Sequence, residues 1–203
     1  MNANFKIDGA IIETERLILR AFTEDDLADF YEYASVDGVG EMAGWAHHKS
    51  IEESKEILNR FIAEDKTFAI YHKEHNKVIG SLGVEKYGLE GELTEFDSYF
   101  GREIGYVLSK EYWGIGIMPE AVNAIINYLF NELNYDFLLC GYYIFNSQSK
   151  RVQEKCEFKP YRKLIMDTRL GTKEEGVLNL LINPNKSIVL NFSHPETLIY
   201  NNK

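Results

Sequence analysis

Apolar and polar positions along this chain follow two periods, and the changes of period mark out its elements. Residues 11–20, IIETERLILR, alternate often enough to predict a first strand. Thr23-Glu24-Asp25-Asp26 then puts acidic groups where a helix begins, and Leu27, Phe30, Tyr31 and Ala34 give that helix an apolar face. Ser50, with Glu53 three residues on, predicts a capping box, and Ile51, Ile57, Leu58, Phe61 and Ile62 line a second helix. Residues 67–72 and 77–86 read as an antiparallel hairpin turning at His75-Asn76. The apolar and aromatic run at 103–108 predicts a buried strand. A helix follows over 119–133, its apolar face made by Ala121, Val122, Ile125, Ile126, Leu129, Phe130 and Leu133. Residues 137–145, FLLCGYYIF, are a buried strand by composition, and 164–166 and 177–182 read as two more. About seven strands are therefore expected. Residues 35–49 form a loop carrying glycines and two adjacent histidines, and 87–99 a polar, acidic one. In the tail from Asn183, residues 187–192 are apolar enough to pack on the body or to pair at a sheet edge.

The chemistry concentrates where the strand at 103–108 meets the following helix. Gly114 and Gly116 stand in that turn, and Pro119 sits in the first helical turn, where its missing N–H costs nothing. The first N–H groups of a helix have no partner within it and lie at the positive end of its dipole. Strand, Gly-x-Gly turn and bare helix start together make a phosphate site. Such a cradle needs no basic side chain, which suits a chain with net charge −10. A P-loop would require a Gly-Lys pair, and the sequence contains none; a dinucleotide fingerprint would require a third glycine where Pro119 stands. A coenzyme A pyrophosphate loop is the third phosphate-binding reading, and a plain strand–helix turn without a ligand is the alternative.

Composition narrows the class. At 203 residues a single domain over 1–203 is the default. The excess of 32 Asp and Glu over 22 Lys and Arg opposes a nucleic-acid surface and is compatible with a cationic acceptor such as an amine. Cys140 and Cys156 both lie in apolar-patterned segments without metal-ligand spacing, so buried thiols in a reducing cytoplasm are expected, and no metal. No apolar run reaches membrane-spanning length, and MNANFKIDGA lacks the layout of a signal peptide. The sequon Asn191-Phe192-Ser193 is then accidental.

Tyr112-Trp113-Gly114-Ile115-Gly116-Ile117-Met118-Pro119-Glu120-Ala121 resembles motif A of the N-acetyltransferase (GNAT) superfamily. Thr14-Glu15-Arg16-Leu17-Ile18-Leu19-Arg20 resembles the opening strand of its RimJ/RimL-type group. The stretch from Asn146 to Phe158, NSQSKRVQEKCEF, resembles a second signature, N-x-x-S-x-R-V-x-E-K-x-G-F, with Glu157 in place of the usual glycine. The resemblance covers roughly residues 11–182, leaving 183–203 as a C-terminal extension. Two departures stand inside motif A: Trp113, where a basic residue or glutamine is common, and Met118, where a small residue is common.

The resemblance implies an α+β, GNAT-like fold: a mixed, mostly antiparallel sheet with helices on both faces and a splayed central parallel strand pair. It implies acetyl transfer from acetyl-CoA to an amine, by direct attack on the thioester. The acceptor is a protein N-terminal α-amine or a small-molecule amine, and a monomer or homodimer is expected. A non-catalytic acyl-CoA-binding module is the alternative. Carried onto this sequence, Val107 and Leu108 meet pantetheine, and Asn146 bonds its other side. Gly114, Ile115, Gly116, Ile117 and Met118 meet the pyrophosphate through main-chain N–H groups. Glu103 is the first choice of base, against a strand-end residue without a proton role. Ser149 is the candidate near the thiol, against a helix-surface hydroxyl. Relatives that use a strand glutamate or a helix tyrosine have Gly141 and Gln153 here. Trp45, His47 and His48 are candidate acceptor contacts, against a loop with partly exposed aromatic and imidazole groups; Asp167 is a further candidate.

Overall fold

The structure, a computed structural model, describes residues 1–189 and 197–200, the last four by their backbone. The chain divides into two compact units. One comprises Phe5–Val84 and Gly105–Ile125; the other comprises Met1–Asn4, Glu85–Ile104 and Ile126–Lys203.

In the first unit, β1 (Ile12–Glu13) and β2 (Leu17–Ala21) pair antiparallel, with Ile12 opposite Leu19. The expected first strand is therefore two, because Thr14 folds the chain back: its N–H donates to the Leu17 carbonyl and its Oγ1 accepts from the Leu17 N–H. Next come α1 (Leu27–Ala34) and α2 (Ile51–Glu64), the second capped by Ser50, whose side chain accepts from the Glu53 N–H. The hairpin β3 (Thr67–His72) and β4 (Lys77–Glu85) turns through Asn76 at φ +50°, and β3 pairs with β2. Strand β5 (Gly101–Leu108) lies next to β4. Phe22, Phe30, Tyr33, Leu58 and Val78 form the core here; of the faces read from periodicity, Leu27, Phe30 and Ala34 of α1 and Ile57, Leu58 and Phe61 of α2 pack on it, Tyr33 is buried in place of Tyr31, and Ile51 and Ile62 are exposed.

The second unit contains the start of β5, then β6 (Phe137–Tyr143), α4 (Ser147–Lys155), β7 (Lys159–Asp167), β8 (Lys173–Ile182) and β9 (Thr197–Tyr200), in the order β5-β6-β8-β7-β9. β8 runs antiparallel to both β6 and β7. Helix α3 (Ile117–Asn127) continues through a π-helical turn, Tyr128–Glu132, and returns the chain to β6, parallel to β5. The β5–β6 ladder runs from Gly101↔Phe137 to Glu103↔Leu139 and ends there, although both strands continue. The fold is the expected α+β, GNAT-like one. Nine strands are present among the described residues, because the first divides and β9 adds a parallel partner to β7. Residues 190–192 of the apolar tail segment, and the sequon, lie outside the described residues.

The loop at 87–99 differs from its reading as polar and acidic. Tyr87, Leu89, Leu93 and Phe96 are buried, and Phe96 stacks on Phe137 at 4.1 Å between centroids. Glu95 is buried with them, receiving Arg162 Nη2 at 3.0 Å and the Tyr161 hydroxyl. No helix among the described residues is long and apolar enough to cross a membrane.

Glu157 closes α4. The Phe158 N–H reaches the Gln153 carbonyl and the Glu157 N–H the Glu154 carbonyl, a Schellman ending that places Glu157 at φ +66°. A side chain there costs about 1–2 kcal/mol, partly offset by the backbone entropy a glycine would lose. Glu157→Gly is therefore expected to stabilise the protein by about 0.5–1 kcal/mol, read as a higher urea midpoint at unchanged slope; an unchanged or lower midpoint would show the position to be unstrained.

Candidate active site

In the first unit, β5 ends at Leu108, and a 3-10 turn, Lys110–Tyr112, leads through Trp113 to α3. Val107 is half-buried against the core, and Leu108 is buried. Both side chains are engaged in packing. Trp113 donates its indole N–H to the Leu108 carbonyl at 2.8 Å, and the Lys110 ammonium lies 5.9 Å from its ring centroid. This pinning role explains a tryptophan where a basic residue is common. Tyr112 is held from below: its hydroxyl lies 2.5 Å from His75 Nδ1, and His75 stacks on the buried His72.

Gly114 and Gly116 take φ +81° and +85°, a region costly for any side chain. No atom lies within 4 Å of where a Cβ would stand on Gly114, so the backbone there is open to a ligand. The first helical bond runs from the Glu120 N–H to the Gly116 carbonyl, which leaves the Ile117 and Met118 N–H groups ahead of the helical ladder. Met118 and Ile117 bury their side chains, while Ile115 is exposed. The turn thus has the features of a helix-start anion site.

A second set of contacts here escaped the sequence reading. Arg16 Nε donates to Glu120 Oε2 at 2.7 Å and Arg16 Nη1 to the Ile115 carbonyl at 3.1 Å. The Arg16 N–H and the Thr14 hydroxyl donate to Glu120 Oε1 at 2.9 and 2.6 Å. Burial opposes ionisation of Glu120, and these hydrogen bonds outweigh it, holding its carboxyl below the usual range. The signal was present as two motif positions, Arg16 and Glu120, whose mutual contact no spacing announces.

In the second unit, Glu103 is half-exposed where the β5–β6 ladder ends, and its Oε1 lies 3.6 Å from the place a Cβ on Gly141 would take. Gln153 is fully buried: its amide donates to the Gly141 carbonyl at 3.1 Å and to Ser149 Oγ at 3.2 Å, and its oxygen accepts from Asn179 at 2.9 Å. Asn146 caps α4, its Oδ1 accepting from the Ser149 N–H at 2.9 Å. Glu103, Gly141, Gln153, Ser149 and Asn146 thus belong to this unit, whereas Val107, Leu108 and the 114–118 loop belong to the other.

Other candidates have structural employment. His48 is buried against Phe30 and Trp45, with Nδ1 2.7 Å from Ser54 Oγ, so it is a core histidine. Trp45 packs on the same core. His47 binds Glu41 at 2.9 Å and Lys49 Nζ at 2.7 Å, closing the 35–49 loop. Asp167 pairs with Lys173 at 2.9 Å. In the 87–99 loop, the Glu95 side chain is buried beside Arg162 and paired with it.

The acetyltransferase (GNAT) domain family matches residues 16–159. The chain is 31% identical over 171 residues to p20, an uncharacterised N-acetyltransferase of Bacillus licheniformis, across 81% of this chain and 83% of p20. It is 26% identical over 154 residues to YoaA, an uncharacterised N-acetyltransferase of Bacillus subtilis, across 73% and 82%. An acetyltransferase (GNAT family) from Bacillus anthracis shares the fold with TM-score 0.74 at 22% identity, over 86% of this chain and 99% of that one. The ribosomal-protein-S5-alanine acetyltransferase from Vibrio fischeri does so with TM-score 0.66 at 22% identity, over 87% and 98%. The chain belongs to the acetyltransferase (GNAT) family. It is an acetyl-CoA-dependent N-acetyltransferase.

Replacing Gly114 or Gly116 by alanine is expected to cost about 1–2 kcal/mol of stability from the positive φ alone, measured by urea unfolding of the ligand-free protein. A neutral result would mean that the turn adopts another backbone path.

Proposed function

We propose that this chain is a RimJ/RimL-type acetyltransferase that acetylates the α-amine of a protein N-terminus. The observation that carries the reading is the open turn at Gly114 and Gly116 ahead of α3, with Ile117 and Met118 presenting N–H groups. The Thr14–Arg20 motif and the fold shared with the Vibrio fischeri enzyme support the group. The burial of Glu95 beside Arg162 weakens the case for a polycationic acceptor.

In this reading the main chain of Gly114, Ile115, Gly116, Ile117 and Met118 receives the pyrophosphate and that of Val107 and Leu108 the pantetheine amides; a pantetheine contact for Asn146, in the other unit, is carried over from the family resemblance alone. Acetyl-CoA supplies an acetyl group already activated as a thioester, so no covalent enzyme intermediate is required. Glu103 takes the proton from the attacking amine, directly or through water, as the new C–N bond forms. A main-chain N–H near Val107 faces the negative charge that develops on the carbonyl oxygen. Ser149, oriented by Gln153 and by the Asn146 cap, passes a proton to the sulfur as the C–S bond breaks and is reprotonated through water by the proton that Glu103 took from the amine, so that both residues end as they began.

Calorimetric titration with acetyl-CoA tests the cradle: the native protein binds, and Gly116→Asp, which adds a side chain and a negative charge, does not. Failure of the native protein to bind overturns the reading; binding without turnover on any amine makes the chain an acyl-CoA-binding module.

Glu103→Gln and Ser149→Ala are each expected to lower kcat by about a hundredfold while acetyl-CoA still binds. Full turnover in both would leave simple positioning of a neutral amine as the mechanism. With an α-amine acceptor, kcat/KM rises with pH and levels near ~8; a lysine-like amine keeps it rising toward ~10.4.

A further inference from the structure

The cradle contains a charge that works against its own ligand. Glu120 stands in the first turn of α3, the end of the helix that receives phosphate in the reading above. A carboxylate there suits the helix dipole but repels a bound anion within a few ångströms. Its charge is met from one side chain: Arg16 grips Glu120 Oε2 through both Nε and Nη2 at 2.7 Å. The same guanidinium holds the Ile115 carbonyl. That peptide is trans, so its N–H, on Gly116, points the opposite way from the carbonyl that Arg16 holds. Arg16 Nη2 lies only 3.6 Å from where a Cβ on Gly116 would stand, so the cation sits against the turn itself. Thr14 and the Arg16 main chain occupy the other carboxylate oxygen, fixing the whole assembly to the β1–β2 turn.

We propose that Arg16 is a positioning residue for acetyl-CoA, cancelling the Glu120 charge at the mouth of the phosphate cradle and turning the Gly116 N–H toward the ligand. The inference rests on the cradle reading and adds to it the residue that makes an acidic helix start compatible with an anionic ligand. Arg16 acts here through Glu120 and Ile115, and a direct contact with phosphate is the competing role.

A double-mutant cycle separates the two. Kd for CoA is measured by calorimetry on the native protein, Arg16→Met, Glu120→Gln and the double variant, with thermal unfolding recorded for each. Arg16→Met is expected to weaken CoA about tenfold, the size expected of one uncompensated charge beside an anion. Adding Glu120→Gln to Arg16→Met is expected to recover at least about fivefold of that loss, because the charge to be cancelled is gone. The ratio of KM for acetyl-CoA to that for S-acetylpantetheine, which lacks the pyrophosphate, rises about tenfold in Arg16→Met on the same ground. Arg16→Lys keeps the charge without the fork and falls between native and Arg16→Met, which keeps the test open should the methionine variant unfold.

A double variant as weak as Arg16→Met overturns the proposal in favour of direct phosphate contact. Equal losses with acetyl-CoA and S-acetylpantetheine overturn it in favour of general loop damage. Absence of CoA binding in the native protein strikes the cradle reading itself, and is told apart by that first titration.

Discussion

The constraint on which the site depends is the accounting of main-chain groups in the turn from β5 to α3. A turn of this kind carries donors and acceptors that must all find partners. Here the protein supplies donors to the carbonyls, from the Trp113 indole to Leu108 and from the Arg16 guanidinium to Ile115, and the helix begins only at the Gly116 carbonyl. The N–H groups of Ile117 and Met118 fall ahead of that ladder. The turn is thus rigid on its acceptor side and open on its donor side, the polarity an anion requires. The ladder that ends at Glu103↔Leu139 follows the same logic in β5 and β6, where both strands outrun their shared hydrogen bonds.

The packing of the second unit depends on a residue the family resemblance marks as a departure. Gln153 stands where some relatives carry a tyrosine, and it is fully buried, tying the Gly141 carbonyl, Ser149 and Asn179 together. A buried amide with partners on both its ends fixes side-chain positions at low entropic cost. The Ser149 hydroxyl is thereby held in place from the core side.

Where the sequence was legible, period and capping chemistry agreed. Helix α2 shows this best: the Ser50 cap and the apolar face around Leu58 are both local signals, and both stand in the fold. The Gly114–Gly116 turn was legible because positive φ leaves a residue-type signature. The 87–99 loop was not, since Tyr87, Leu89, Leu93 and Phe96 are buried with no helical or strand period to announce them. The burial of His48 was not legible for a related reason: a histidine in a glycine-containing loop gives no local sign that Phe30 and Ser54 will enclose it. Strand β9 depends on pairing with β7, more than thirty positions away, and the Arg16–Glu120 contact on a separation of 104 residues; no window along the chain spans either.

Glu95 and Arg162 place a limit on how this enzyme can diversify. In the loop at 87–99, Glu95 is locked to a guanidinium on β7, with side-chain exposures of 0% and 9%. Grafting that loop from another acetyltransferase without its matching strand would strand the arginine in an apolar setting, at about 3–5 kcal/mol. Loop and strand therefore form one unit of inheritance, and engineered specificity is to be sought by exchanging them as a cassette.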